Sequence, residues 1–110
     1  MSKSITIKTK EGQAYKLEFT KKTVAMMAKN GFDLDTARSN PIIGIPELFE
    51  GAFLANHKMV KSNIISEIYD TLPNKEALIQ TLIEMYVEPI NALIEDPKDD
   101  EGNGSWEVSE

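Results

Sequence analysis

Cysteine is absent from the 110-residue chain, which excludes disulfides, thiolate metal sites and a cysteine nucleophile. Histidine occurs once, at His57, so neither a histidine pair for zinc nor a second base is present. No serine near His57 stands in a G-x-S-x-G setting, and no glycine-rich loop follows a strand to open a helix. Glu47 and Glu50 are spaced as solvated charge on a helix rather than as an acid/base pair. These absences read as a protein that is not an enzyme and holds no cofactor or metal. Arginine too occurs once, at Arg38. A basic hairpin with Tyr15 and Phe19 is the one argument for nucleic acid, and the acidic chain outweighs it. No apolar run approaches the roughly 20 residues that span a bilayer. Met1-Ser2-Lys3-Ser4 leads into an alternating segment, not into the apolar stretch of a secretory signal. The expectation is a soluble chain, bound to no membrane, that stays where it is made.

The net charge of −6 is unevenly placed. Between Glu95 and Glu110 lie Glu95, Asp96, Asp99, Asp100, Glu101, Glu107 and Glu110 against Lys98 alone, so this segment holds the whole excess. Residues 1–29 carry seven lysines against Glu11 and Glu18, and residues 30–94 lean acidic. Such asymmetry can steer association between copies or with a partner; lysines that merely solubilise a hairpin are the alternative.

Periodicity sets the expected elements. Ile5, Ile7 and Thr9, then Tyr15, Leu17 and Phe19, alternate with polar residues around Lys10-Glu11-Gly12. This predicts a hairpin over residues 3–19, with strands at 3–9 and 14–19. Thr20 is a candidate N-cap for a helix over 21–29 that Asn30-Gly31 stops, with Phe32 in place for a C-terminal apolar contact. Residues 33–44 are ambiguous between a short turn of helix and a break at Ser39-Asn40-Pro41. Pro46 suits the first turn of a helix over 46–57 carrying Leu48, Phe49, Ala52 and Phe53. A further helix is predicted over 60–72, and Asn74 is set to cap a last one over 75–95, kinked near Met85 by Pro89. The expected fold is α+β and mostly α, one globular domain over 1–96 followed by an acidic flexible tail over 97–110.

The last helix is apolar over more than one face, with Leu78, Met85 and Val87 widening the stripe of Ile79, Leu82, Ile83, Tyr86, Ile90, Leu93 and Ile94. Either it is the most buried helix or it offers a second face to a partner. Met26, Met27, Met59 and Met85 are adaptable side chains of the kind used on promiscuous surfaces; ordinary core suits Met27 and Met85 better than Met26. Candidate partner-binding residues are Phe49, Phe53, Met26, Leu78, Met85, Val87 and Trp106. Asp99, Asn103, Gly104 and Glu110 fall at positions one, five, six and twelve of a calcium loop, but Glu101 departs from its third position and no exit helix follows. Trp106-Glu107-Val108 also reads as a short strand able to dock on a sheet edge such as the hairpin's.

Several segments in order along the chain carry a resemblance. They are Ile5-Thr6-Ile7, Tyr15 to Thr20, Asn30-Gly31-Phe32-Asp33, Ile45 to Phe49, Gly51 to Lys58, and Met85 to Ile90. Together they resemble small tail assembly chaperones encoded by long-tailed phages and prophages. The resemblance spans nearly the whole chain, on short structural motifs without a catalytic signature. It implies a protein of the bacterial host's cytoplasm, made during infection and scarce in the finished virion. Such a protein coats the tape measure protein, keeps it soluble, recruits tail tube subunits and self-associates into spirals or rings. It also implies a longer frameshifted form diverging at the acidic tail. A structural tail or head–tail connector subunit and a calcium-responsive binding module are the alternatives.

Overall fold

The computed structural model describes residues 3–95 and 105–108. Two antiparallel strands, β1 (Ile5–Lys8) and β2 (Ala14–Leu17), open the chain with Ile5 opposite Leu17 and Ile7 opposite Tyr15. The turn closes through the Thr9 amide, which donates to the Gln13 carbonyl at 2.8 Å, and through Gly12 at φ 87°. That left-handed backbone is one that glycine adopts without steric cost. Alternation then buries Ile7 and Leu17 and leaves Thr6, Lys8 and Lys16 outside.

Helix α1 (Lys21–Lys29) starts where expected. The Thr20 hydroxyl accepts from the Thr23 amide at 3.1 Å, and Thr23 accepts in return from the Thr20 amide at 2.9 Å. Threonine thus fills the place that glutamate usually takes in a capping box. At the other end the Phe32 amide reaches Met27 O and the Gly31 amide reaches Ala28 O, with Gly31 at φ 97°. This paired closure is a Schellman motif, and Phe32 lands in the core.

Residues 33–44, ambiguous in sequence, are helical. Asp33 caps α2 (Leu34–Ser39) by accepting from the Thr36 amide and hydroxyl. Helix α3 (Pro41–Gly51) follows directly, so the expected start at Pro46 is corrected to Pro41. Pro41 occupies the first helical position, where no amide is needed. Pro46 inside the helix forgoes only the bond to the carbonyl of Ile42, an exposed residue that water can serve. Gly44 serves packing, since a Cβ there would meet the backbone of Ala37 on α2. The expected helix over 46–57 is also interrupted after Gly51, and a separate turn, α4 (Leu54–His57), follows.

Helix α5 (Ser62–Thr71) and helix α6 (Lys75–Ala92) complete the described elements. Asn74 stands at the N-cap of α6 with left-handed backbone (φ 55°), and its side chain makes no capping bond. Its expected capping role is therefore corrected to that of a turn residue, which suits asparagine's tolerance of this conformation. Helix α6 runs unbroken through the buried Pro89.

Helix α3 lies at the centre, against α1, α2, α5 and α6, while α4 flanks β2. Leu17, Phe19, Leu48, Phe49, Phe53, Leu82 and Met85 are the largest fully buried side chains. Each such burial is worth roughly 1.5–3 kcal/mol in transfer free energy. Two aromatic groups organise this core. Tyr86 meets Phe19 and Phe32 edge-on at 5.4 and 5.2 Å, and Phe49 meets Phe53 and Tyr69 at 5.2 and 5.0 Å. The architecture is α+β and mostly α. The flexible tail expected over 97–110 falls outside the described residues except for 105–108, which have no regular secondary structure.

Candidate partner-binding surface

The structure divides the sequence's candidate residues sharply. Phe49, Phe53 and Met85 are core residues, each at most 2% exposed, so they are corrected from surface to interior. Their helical stripe is filled by the chain's own aromatic neighbours. Leu78 and Val87 are half-buried against that core. Met26 is 42% exposed on α1, and Trp106 is 87% exposed. Of the seven candidates, three are interior, two half-buried and two exposed.

Other apolar side chains are left in solvent. Past Pro89, Ile90, Leu93 and Ile94 are exposed at the C-terminal end of α6, and Ile42 and Ile43 are exposed on the first turn of α3. The stripe pattern alone does not reveal that these five are exposed. An amphipathic pattern marks which residues are apolar, not how far the neighbouring helix extends.

Two grooves open on the surface. One, of about 420 Å³, runs over Met27, Phe32, Phe53, Leu54, Val60 and Ile65, with Glu47 and Glu50 on its rim. Glu50 there accepts from the Ser62 hydroxyl at 2.6 Å. The other, of about 460 Å³, lies between the hairpin turn and α5, lined by Lys8, Lys10, Tyr15, Ile64, Ile68 and Leu72. His57 and Ser62 also line the first groove. Among the described residues no cluster of three or more His, Asp or Glu could hold a metal, and the calcium-loop positions Asp99, Asn103, Gly104 and Glu110 lie outside them.

His57 has a structural task that the sequence did not disclose. Its Nε2 accepts from the Lys16 amide at 2.9 Å, while Asn56 Nδ2 donates to the Lys16 carbonyl at 3.2 Å. Two side chains of the α3–α4 segment thus stand in for a strand along the outer edge of β2. The Glu18 amide extends the pairing by donating to the Ala52 carbonyl at 3.1 Å. The ring also packs edge-on to Tyr15 at 5.2 Å. His57 is therefore neither a free base nor a cap on helix carbonyls. Burial raises the phenol pKa of Tyr86, with Asp33 adding to it, and that of Tyr69, with Asp70 adding to it. No described helix is long and apolar enough to cross a membrane.

A family described as a domain of unknown function, DUF5055, matches residues 1–110. The chain belongs to the DUF5055 family. No curated protein and no solved structure matches it. Membership in DUF5055 thus covers the hairpin and every described helix together.

Proposed function

We propose that this DUF5055 chain is a tail assembly chaperone of a long-tailed phage or prophage, acting in the cytoplasm of the bacterial host by binding without catalysis. It would hold the tape measure protein soluble and bring tail tube subunits to it, and it would self-associate along that extended partner. The reading is supported by the resemblance from Ile5 to Ile90. The observation that carries it is the exposure of Ile90 near the end of α6 and of Leu93 and Ile94 just beyond it. A chaperone for a long amphipathic helix needs exposed apolar contacts of modest affinity on a soluble body.

Co-expression with the tape measure protein of the same genome, followed by pull-down and size exclusion, tests it. The expected result is a soluble tape measure that elutes with many copies of this chain. A tape measure that stays insoluble, while this chain is abundant in purified virions, would favour a structural tail subunit instead.

A further inference from the structure

The two edges of the hairpin are unlike. Because the Lys16 amide and carbonyl are taken by His57 and Asn56, Lys16 and its partner Thr6 form a non-hydrogen-bonded pair. The amides and carbonyls of Thr6 and, two residues on, Lys8 therefore point away from β2. No hydrogen bond from another described element reaches them, and Ser4, Thr6 and Lys8 are all exposed. The free edge of β1 is a row of unpaired backbone groups, a template for one more strand.

We propose that this edge receives residues 105–108 of a second copy of the chain as a third strand. Three observations select that occupant. Trp106, Glu107 and Val108 alternate with the period of a strand, placing Trp106 and Val108 on one face and Glu107 on the other. The inner face of the edge adjoins the groove of about 460 Å³ floored by Ile64, Ile68 and Leu72, which offers an indole an apolar seat. Its outer face carries Lys8, with Lys16 across the hairpin, to meet Glu107, whereas Lys3 before the strand is engaged by Glu84 of α6 at 3.1 Å. Lysines on the edge also oppose β1 pairing with another β1, since like charges would face each other.

The occupant is a second copy because, in the single chain, Trp106 and Val108 are 87% and 75% exposed while the edge is unpaired. Each copy then donates one tail and receives another. Such a heterologous contact builds open chains, or rings where the rotation closes. The contact gives a surface to the self-association proposed above, but it is argued from the edge and the tail alone, so it can fail while the tape measure reading stands, or the reverse.

Trp106 is the chain's sole tryptophan, so its emission reports the contact directly. Sedimentation velocity and intrinsic fluorescence are measured on the full chain over a hundredfold range of concentration. The expected result is growing oligomers with emission shifting to the blue as concentration rises, both reversed by high salt. Trp106→Ser removes the donor, and Thr6→Pro blocks the acceptor edge without costing a β1–β2 bond, because the Thr6 amide points outward. Each variant alone should be monomeric at concentrations where the parent assembles. Mixed, they should form a dimer and nothing larger, one intact tail on one intact edge. Water-like emission at every concentration overturns the proposal. So does a blue emission unchanged by dilution, which would place the tail on its own body, and so do oligomers that survive both substitutions.

Discussion

Between Leu82 and Pro89, α6 buries Leu82, Met85, Tyr86 and Pro89, whereas Ile90, Leu93 and Ile94, at its end and just beyond, stand in solvent. The side chains are of one kind; their surroundings differ. At 18 residues α6 is about 27 Å long, and the 9-residue α1 beside it is about 14 Å. The buried part finds Phe19 and Phe32 around Tyr86, and the residues past Pro89 stand in solvent. One part of the helix thus supplies stability and the other an apolar surface. The hairpin repeats the lesson in backbone terms, with β2 closed by His57 and Asn56 and β1 open.

The largest effect expected from this division is at Leu82, which is fully buried. Leu82→Ala should cost about 2–5 kcal/mol of stability. Ile94→Ala should change it by no more than about 0.5 kcal/mol, as is usual for a surface site. Denaturant titration of both variants measures the contrast, and equal losses would break it.

Glycine contacts come next. Gly44→Ala drives a Cβ into the backbone of Ala37, which cannot swing aside, and should cost about 1–3 kcal/mol. At Gly51 the new Cβ meets the end of the Met27 side chain, which can rotate away. Thermal melts should therefore show a smaller loss for Gly51→Ala than for Gly44→Ala.

A smaller change is expected at the closed hairpin edge. His57→Ala removes the acceptor of an exposed amide that water can serve, so about 0.5–1.5 kcal/mol is at stake. Hydrogen exchange gives the sharper reading. In the parent, the Lys16 amide should exchange more slowly than those of Thr6 and Lys8 under conditions where the chain is monomeric, and the substitution should release Lys16 alone.

The smallest effect lies at alkaline pH. The Tyr86 phenol is raised above its ordinary 10.0, first by burial and then by Asp33. A raised folded-state value means that its contribution is whole below the unfolded pKa near 10 and is lost as pH climbs through the folded one. Stability should fall above about pH 10, and Tyr86→Phe should flatten part of that fall; Tyr69 adds the rest of the tyrosine share.

Local signals explain which features were legible in the sequence. The hairpin, Thr20 as cap and the Asn30-Gly31-Phe32 stop all depend on residues within a few positions of one another. The start of α3 is hard to place because Pro46 looks like a first-turn proline and Ser39-Asn40-Pro41 like a break. Only the approach of Ala37 gives Gly44 its purpose. The spacing of Phe49, Phe53 and Met85 suits a contact face and a core face equally well, and the core claims them. His57 reaches Lys16 across forty-one positions, a pairing that no local pattern announces. The exposure of Ile90, Leu93 and Ile94 is equally hidden, because it depends on what packs beside them and not on their own spacing.

The most direct measurement replaces Ile90, Leu93 and Ile94 together by serine and co-expresses the variant with the tape measure protein of the same genome. The expected result is a chain that melts as the parent does yet leaves the tape measure insoluble, while the parent keeps it in solution. A triple variant as effective as the parent would contradict the assignment of this surface to the partner.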